Sequence, residues 1–183
     1  MEVHFSMPIQ FDEIDRHILQ ELQEDARISN RELASRVGLS PAPCLRRVRQ
    51  LEQAGVIQKY VALLDPVALH VGVTVFVEVS LDQQTQERVE IFEKAIARRE
   101  EVLECYLMSG EIDYLLRVVV PDVATYERFL KEWLARVESV AKIKANVAFR
   151  QIKYSTSLAV ESTREAESAA RGVSKRPQKR RRR

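Results

Sequence analysis

Residues 29–60 read SNRELASRVGLSPAPCLRRVRQLEQAGVIQKY, and this stretch decides the fold of the N-terminal part of the chain. Ser29 can cap a first short helix, because its hydroxyl can accept a hydrogen bond from a free N–H of the first turn. The apolar residues that follow at helical spacing are Leu33, Ala34 and Val37. Gly38 can adopt the left-handed conformation that ends such a helix. The pattern predicts a short helix followed by a tight turn.

A second helix is predicted directly after this turn. Ser40 is its expected cap, and Pro41 stands at its first position, where a missing N–H costs nothing. Its predicted buried stripe is Leu45, Val48 and Leu51. The residues left for its other faces are Ala42, Arg46, Arg47, Arg49 and Gln50. This helix would bury one stripe and offer a cationic one.

Two short helices joined by a glycine turn, the second bearing arginines, are typical of helix-turn-helix proteins that insert the second helix into the major groove of DNA. Arginine can pair bidentately with guanine or bind a phosphate. The alternative is a solvated surface helix, because three arginines in a helix of this length are common. The predicted DNA-binding residues are Ser29, Asn30, Ser40, Pro41, Ala42, Pro43, Arg46, Arg47, Arg49, Gln50 and Lys59.

A third helix over residues 11–24 would close a small core over the pair. Its apolar residues at helical spacing are Ile14, Ile18, Leu19 and Leu22. Residues 56–64 read as extended chain, which predicts a short wing or a strand that leads to a linker. We therefore expect an N-terminal extension at 1–10, a winged helix-turn-helix domain at 11–60 and a linker strand at 61–72.

Charge is segregated along the chain. The formal net charge is +2, but residues 171–183 carry eight lysines and arginines and no acid, so residues 1–170 sum to −6. Residues 1–30 carry two basic and seven acidic side chains, whereas residues 31–60 carry six basic and two acidic ones. A chain with an acidic body needs local basic patches to bind phosphate, and this chain has two.

Composition excludes other classes of protein and site. No apolar run approaches the ~20 residues that a membrane span needs, and the N-terminus lacks the features of a signal peptide, so we expect a cytoplasmic protein. Cys44 and Cys105 fall in different predicted domains, which favours free thiols over a disulfide or a metal site. No metal and no cofactor is predicted.

The remainder of the chain predicts an α+β domain. Residues 73–81 alternate strictly between apolar and other side chains, as a strand does. A helix of about fourteen residues around Phe92 follows, then a hairpin of two apolar runs at 102–108 and 114–120, a helix over 123–137 and a last extended segment at 143–154. Strand, helix, strand, strand, helix, strand is the order of a ferredoxin-like βαββαβ sandwich, with both helices on one face of an antiparallel sheet. We place this domain at 73–160.

One face of that sheet is predicted to be bare. It would show some of Thr74, Phe76, Glu78, Tyr106 and the apolar residues of the last strand, which is a surface that a partner usually covers. Self-association through this face would also place two DNA-reading helices about one helical turn apart. RNA recognition by the sheet needs a set of aromatic residues in the third strand on which bases stack, and it is disfavoured because that strand reads YLLRVVV at 114–120.

Motifs from both domains resemble those of the Lrp/AsnC family of bacterial and archaeal regulators. They include DEIDRHIL at 12–19, RISNRELA at 27–34, VGLSPAPCLRRVRQLE at 37–52, GVIQKY at 55–60 and ECYLMSGEIDYLLRV at 104–118. The motifs occur in the family's order, and the resemblance covers roughly residues 11–160. It implies a sequence-specific DNA-binding transcriptional regulator of amino-acid metabolism that forms dimers and octamers.

The resemblance also implies a small amino-acid effector, bound between dimers near residues 109–114. An amino acid needs a carboxylate for its ammonium group, backbone N–H groups for its carboxylate and an apolar wall for its side chain. We expect the response to the effector to depend on Asp113. The predicted effector-binding residues are Leu107, Ser109, Gly110, Glu111, Ile112, Asp113, Tyr114, Ala148 and Phe149. The alternative for this turn is an exposed hairpin with two solvated acids.

Two other functions stay open at this point. An effector-independent, nucleoid-associated DNA-binding protein would use the same helices. An enzyme similar to the sirohaem decarboxylases, which resemble the family in architecture, is disfavoured because the last histidine of the chain, His70, lies in the linker. Residues 161–183 predict a disordered basic tail that can add to DNA affinity through counterion release.

Overall fold

The computed structural model describes residues 11–160. The predicted N-terminal extension and basic tail lie outside the described residues. The chain divides into two compact units: residues 11–61 together with 154–160 form the first, and residues 62–153 form the second. Within residues 11–160, no helix is long and apolar enough to cross a bilayer.

The first unit contains three helices: α1 (Glu13–Glu24), α2 (Asn30–Arg36) and α3 (Pro41–Gln53). Ser29 caps α2 as predicted, with its hydroxyl accepting from the Glu32 N–H at 3.2 Å. Gly38 adopts a φ of 69° in the turn before α3. The prediction for Ser40 is only half right, because it stands at the N-cap of α3 but its side chain makes no capping hydrogen bond.

The buried stripe of α3 differs from the predicted one. Cys44 is fully buried and Leu51 nearly so, with Val48 packed beside them, whereas Leu45 is 38% exposed. Residues 44, 48 and 51 follow the i, i+4, i+7 spacing of one helix face, and position 45 lies about 100° further round the helix. The first core closes around this stripe with Ile18, Leu19, Leu33, Ala34 and Val37.

The segment predicted as a short wing or a linker strand has an irregular backbone in the described chain. Residues 56–72 contain no strand; they run as irregular chain into a turn at 66–70, where His70 adopts a φ of 56°. A strand needs a neighbour to receive its backbone hydrogen bonds, and this segment meets none within the described chain.

The second unit has the predicted order of elements. They are β1 (Val73–Leu81), α4 (Gln86–Ile96), β2 (Val102–Leu107), β3 (Tyr114–Val120), α5 (Val123–Arg128) and β4 (Val140–Val147). The four strands form one antiparallel sheet in the order β2-β3-β1-β4, so the ferredoxin-like sandwich is confirmed. Its core includes Val75, Val77, Val79, Phe92, Leu116, Val118, Phe129 and Leu134.

Two elements differ from the predicted ones. The helix predicted over 123–137 is α-helical only in α5 and continues as a π-helical turn at Phe129–Trp133 and a 3-10 turn at Leu134–Arg136. The last strand covers 140–147 rather than 143–154. β4 pairs with β1 from Leu81 back to Val75, and the Ala148 N–H still reaches the Thr74 carbonyl at 2.9 Å. The strand therefore ends where its partner ends.

Candidate DNA-binding and effector sites

The exposed face of α3 carries the charges predicted to contact DNA. Arg46, Arg49 and Gln50 are exposed and line one open depression with Ala42, Leu45 and Gln53. Among the side-chain hydrogen bonds and ion pairs of residues 11–160, none involves the guanidinium group of Arg46 or Arg49. Within the described residues, both guanidinium groups therefore keep their donors for another acceptor, such as a base edge or a phosphate.

Arg47 belongs to another face of α3. Its Nη1 donates to Asp12 Oδ2 at 2.7 Å and to Asp15 Oδ1 at 2.8 Å, both at the start of α1. These bonds to Asp15 and Asp12 raise the pKa of Arg47. The Asp15 backbone N–H, and then Arg47, lower the pKa of Asp12. Arg47 thus ties α3 to α1, which the sequence analysis missed although the two acids lie in a capping-box pattern at 12 and 15.

Other predicted DNA-binding residues also have structural partners. The Asn30 side-chain amide donates to the Pro41 carbonyl at 2.8 Å and holds α2 against the start of α3. Ser29 caps α2, and Pro43 is half-buried. The exposed members of the predicted set are Ser29, Ser40, Pro41, Ala42, Arg46, Arg49, Gln50 and Lys59. Of the cationic groups of α3, Arg46 and Arg49 are therefore the two without a side-chain partner among residues 11–160.

The hairpin between β2 and β3 carries the predicted effector residues. Its turn is closed by the Met108 N–H, which donates to the Asp113 carbonyl at 2.8 Å. Gly110 adopts a φ of 148°, a conformation that side chains rarely allow. Ser109, Gly110 and Glu111 are exposed, and Ile112 is half-buried. The turn offers backbone groups and one exposed carboxylate to its surroundings.

The carboxylate of Asp113 is already bonded within the chain. Oδ2 accepts from the Leu81 N–H at 2.7 Å, and Oδ1 accepts from the Gln84 side-chain amide at 2.7 Å. The Asp113 N–H in turn donates to the Val79 carbonyl at 3.0 Å. Asp113 thereby fixes the hairpin to the end of β1 and to the loop before α4. An ionised carboxylate can accept about four hydrogen bonds, so it retains capacity for a further donor.

Tyr114 lies in the core rather than on the hairpin surface. Its side chain is 1% exposed, its ring centroid lies 4.5 Å from that of Phe92, and its hydroxyl donates to Glu93 Oε1 at 3.0 Å. Burial, and then the bond to Glu93, raise the pKa of the Tyr114 phenol. The alternation of β3 turns this residue toward the helices, so its side chain does not fit the predicted effector role.

Ala148 and Phe149 do not meet the hairpin within one chain. Ala148 bonds to Thr74 at the start of β1, whereas the hairpin bonds to Val79 and Leu81 at its end. Seven residues of strand separate these positions, which corresponds to about 23 Å. Phe149 is fully exposed and Leu107 is 70% exposed. Within the described chain, Phe149 therefore does not join the residues of the turn.

The open face of the sheet is exposed as predicted, but the contribution of the last strand is different. Phe76 and Tyr106 are 39% and 52% exposed. The register places Lys142, Lys144 and Asn146 on this face, because they stand opposite Ser80, Glu78 and Phe76. The apolar residues of β4 lie on the helix side. The face is mixed: the exposed Phe76 and Tyr106 rings lie among the ion pairs Glu104–Arg117 and Glu78–Lys144.

The chemistry of the described residues does not include a metal centre. No group of three or more His, Cys, Asp and Glu side chains in residues 11–160 is arranged to hold a metal ion. Cys44 is buried in the first unit and Cys105 is exposed in the second, and both are free thiols. Although residue 105 is exposed, the protein atoms around its thiol partly desolvate it, and this raises the pKa of the Cys105 thiol to about 11, which disfavours the reactive thiolate.

Comparison with known proteins gives a match for each of the two units. The model of the winged helix-turn-helix DNA-binding family matches residues 11–58, and that of the Lrp/AsnC ligand binding domain matches residues 74–158. The leucine-responsive regulatory proteins of Escherichia coli K12 and Serratia marcescens are each 47% identical to the chain over 151 residues, which cover 82% of this chain and 92% of each relative.

Solved structures show the same relationship. A transcriptional regulator from Neisseria meningitidis in complex with L-methionine has a TM-score of 0.79 and 38% identity, and an AsnC family regulator from Agrobacterium tumefaciens has a TM-score of 0.78 and 45% identity. Each match covers 82% of this chain and 97% of the other. With a helix-turn-helix unit, a ferredoxin-like ligand-binding unit and close relatives along both, the chain belongs to the Lrp/AsnC family of transcriptional regulators.

Proposed function

We propose that this regulator reads double-stranded DNA with the Arg46 and Arg49 face of α3 and responds to a small amino acid at the hairpin of residues 108–113. The observation that carries the proposal is that these two arginines are exposed on one face of α3 with no partner in the described chain. A helix that follows a capped short helix and a glycine turn presents such a face to the major groove.

We propose that Asp113 receives the ammonium group of the effector. Its carboxylate already accepts from Leu81 and Gln84, so an added ammonium would act on the same atoms that hold the loop before α4. The exposed backbone of Ser109 and Gly110 can donate to the ligand carboxylate. Methionine is a candidate because a relative was solved with it, and leucine because relatives carry it in their name.

The apolar wall of this site requires a second copy of the chain. Leu107 is beside the turn, whereas Ala148 and Phe149 lie at the far end of β1. An effector site completed between copies joins these residues and makes binding depend on assembly. We propose a dimer through the open sheet face and an octamer of four dimers, at work in the cytoplasm where its DNA lies.

The test is a thermal-shift screen of the twenty amino acids followed by DNA selection. A specific ligand at 100 times its dissociation constant adds about 2.7 kcal/mol of stability, so binders stand out from the remainder. Duplexes are then selected from a random library in the presence and absence of the amino acid that gives the largest thermal shift. We expect both selections to yield one shared motif, and the affinity of the protein for that motif to change when the amino acid is added. A protein that selects DNA but is shifted by no amino acid would instead be an effector-independent, nucleoid-associated protein.

A further inference from the structure

The exposed face of α3 includes a large apolar side chain that the sequence predicted to be buried. Leu45 is 38% exposed and lines the open depression of this face together with Ala42, Arg46, Arg49, Gln50 and Gln53. Within residues 11–160 it does not belong to the core of the first unit, which α3 enters through Cys44, Val48 and Leu51. The Leu45 side chain is therefore available to a ligand of α3.

The helical period explains why Leu45 shares a face with the arginines. Counted from Ala42, the six residues of the depression stand at i, i+3, i+4, i+7, i+8 and i+11, which is the spacing of one helix stripe. At about 100° per residue this stripe lies opposite the buried one, with Leu45 at its edge. The stripe carries two arginines, two glutamines and no acidic side chain. It is a cationic face with an apolar patch formed by Ala42 and Leu45.

Each side-chain type of this stripe has a counterpart on the base edges in the major groove. Arginine donates bidentately to O6 and N7 of guanine, and glutamine pairs with N6 and N7 of adenine. Thymine presents its 5-methyl group in the same groove, and apolar side chains contact that group. Cytosine is read by carboxylates, which this stripe lacks. Leu45 therefore has one chemically matched base, which is thymine.

We propose that Leu45 contacts the 5-methyl group of a thymine in the duplex that α3 binds, and that it is a specificity-determining residue of the DNA-binding face. This inference rests on the proposed DNA-binding function. Single exposed leucines are common on protein surfaces, but Leu45 is adjacent to Arg46 and one helical turn from Arg49, so a duplex bound by these arginines covers it. The contact removes water from the leucine and from the methyl group, which favours thymine at that position.

The rise of α3 limits where this thymine lies in the operator. Leu45 is about 1.5 Å from Arg46 and about 6 Å from Arg49 along the helix axis. Successive base pairs are separated by about 3.4 Å. A helix that lies along the groove therefore places the Leu45 contact within about two base pairs of a base that either arginine contacts. We expect a thymine, on either strand, within about two base pairs of a guanine in each half-site.

The first test removes single methyl groups from the DNA. An operator is selected from a random library, and each thymine is then replaced by deoxyuridine, which lacks the 5-methyl group but pairs with adenine in the same way. At the Leu45 position this change should weaken binding about four-fold, which corresponds to the ~0.8 kcal/mol of one buried methyl group, and about sixteen-fold when both half-sites carry it. Fluorescence anisotropy with labelled duplexes measures the affinities. An operator in which no thymine is sensitive would overturn the proposal.

The second test assigns the methyl contact to Leu45. Leu45→Ala should bind the thymine operator and the doubly substituted deoxyuridine operator with affinities equal within about two-fold, because the side chain that meets the methyl group is gone. Leu45→Met keeps an apolar side chain of similar volume and should retain most of the preference for thymine. Leu158→Ala is the matched control, since it shortens an exposed leucine outside α3, and it should retain the full preference. A sixteen-fold preference that persists in Leu45→Ala would refute the contact.

A further variant separates this inference from the proposed function on which it rests. All affinities are measured at a temperature at which circular dichroism shows each variant to be fully folded. If Arg46→Ala/Arg49→Ala binds the selected operator as tightly as the unmutated protein, α3 is wrongly assigned as the DNA-binding helix. If that variant loses affinity while Leu45→Ala responds to deoxyuridine as the unmutated protein does, α3 still binds DNA and only the thymine contact is disproved.

Discussion

The DNA-binding unit and the sheet unit present their functional groups in different ways. In the first, Arg46, Arg49 and Gln50 come from one helix and share one exposed face. In the second, the residues expected to surround an effector come from a hairpin and from the end of β4, at opposite ends of β1. The proposed DNA-binding face lies within a single chain, whereas the proposed effector site would be completed by a second copy.

This difference indicates that association of the chains should affect effector binding more directly than DNA binding. A recognition helix needs only its helical period and a supporting core to expose a cationic face, so a single chain can present the proposed DNA-binding face. An effector that binds between copies contacts two chains at once, and its binding is linked to their association. Changes in the hairpin are therefore expected to affect effector binding and association of the chains, and changes in α3 are expected to affect DNA binding.

The largest expected effect is a loss of DNA affinity when the two exposed arginines of α3 are removed. Arg46→Ala/Arg49→Ala should weaken binding to a selected operator by about 2–6 kcal/mol, because each base-reading arginine is worth about 1–3 kcal/mol. Fluorescence anisotropy measures it. Arg98→Ala is the matched control, since it removes one exposed arginine from the sheet unit. A loss of equal size in the control would mean that net charge, and not the α3 face, governs binding.

The dependence of the sheet unit on a second copy is tested next. Phe76→Glu places a carboxylate in the middle of the open sheet face, and in a two-fold interface the change occurs twice. We expect dimer affinity to fall about hundred-fold or more, which corresponds to at least ~2.7 kcal/mol. Light scattering should then give a mass near the 21.1 kDa of one chain. Val123→Glu, exposed on α5, should leave the mass unchanged; a monomeric unmutated protein would refute the interface.

The proposed effector site is tested by comparing two substitutions in the same hairpin turn. Asp113→Asn should raise the dissociation constant of the best amino acid about ten- to a hundred-fold, because a charge-assisted hydrogen bond is worth about 1.5–3 kcal/mol. It should also lower the stability of the unit by about 1 kcal/mol through the bonds to Leu81 and Gln84. Glu111→Gln, from the same turn, is the control. Isothermal titration that finds the loss in Glu111→Gln instead would move the ammonium contact to that residue.

The smallest expected effect is on stability, and it distinguishes the structural role of Arg47 from the proposed DNA-binding role of Arg46 and Arg49. Arg47→Ala should cost up to about 1 kcal/mol of unfolding free energy, because its ion pairs with Asp12 and Asp15 are partly exposed. The pKa of Asp12 is lowered in the folded state, so its stabilisation is present above the ordinary pKa near 3.8 and is lost as the pH falls through the lowered value. Urea unfolding should therefore show a smaller difference between the variant and the unmutated protein at pH 3 than at pH 7.

DNA binding by Arg47→Ala completes that comparison. Measured at pH 7 under conditions where the variant is fully folded, its operator affinity should stay close to that of the unmutated protein. A loss as large as that of Arg46→Ala would show that Arg47 leaves Asp12 and Asp15 to contact DNA.

The sequence by itself determined the parts of the protein that depend on near neighbours. Ser29 and Gly38 mark the limits of α2 because a cap and a left-handed turn need only adjacent backbone. The alternation of residues 73–81 predicts both ends of β1 correctly, because a strand that is buried on one face alternates in this way. The order of six elements then leaves few topologies for the second unit, and the ferredoxin-like sandwich follows.

The tertiary structure decided which of these residues are free to act. Arg46 and Arg47 are adjacent in sequence, but only the second faces the acids of α1, which lie 32 and 35 residues earlier. Asp113 finds its partners 32 and 29 residues away, and Gln23 finds Leu158 135 residues away. No local pattern encodes such contacts, because the period of a helix or strand fixes the face on which a side chain lies but not what packs against that face.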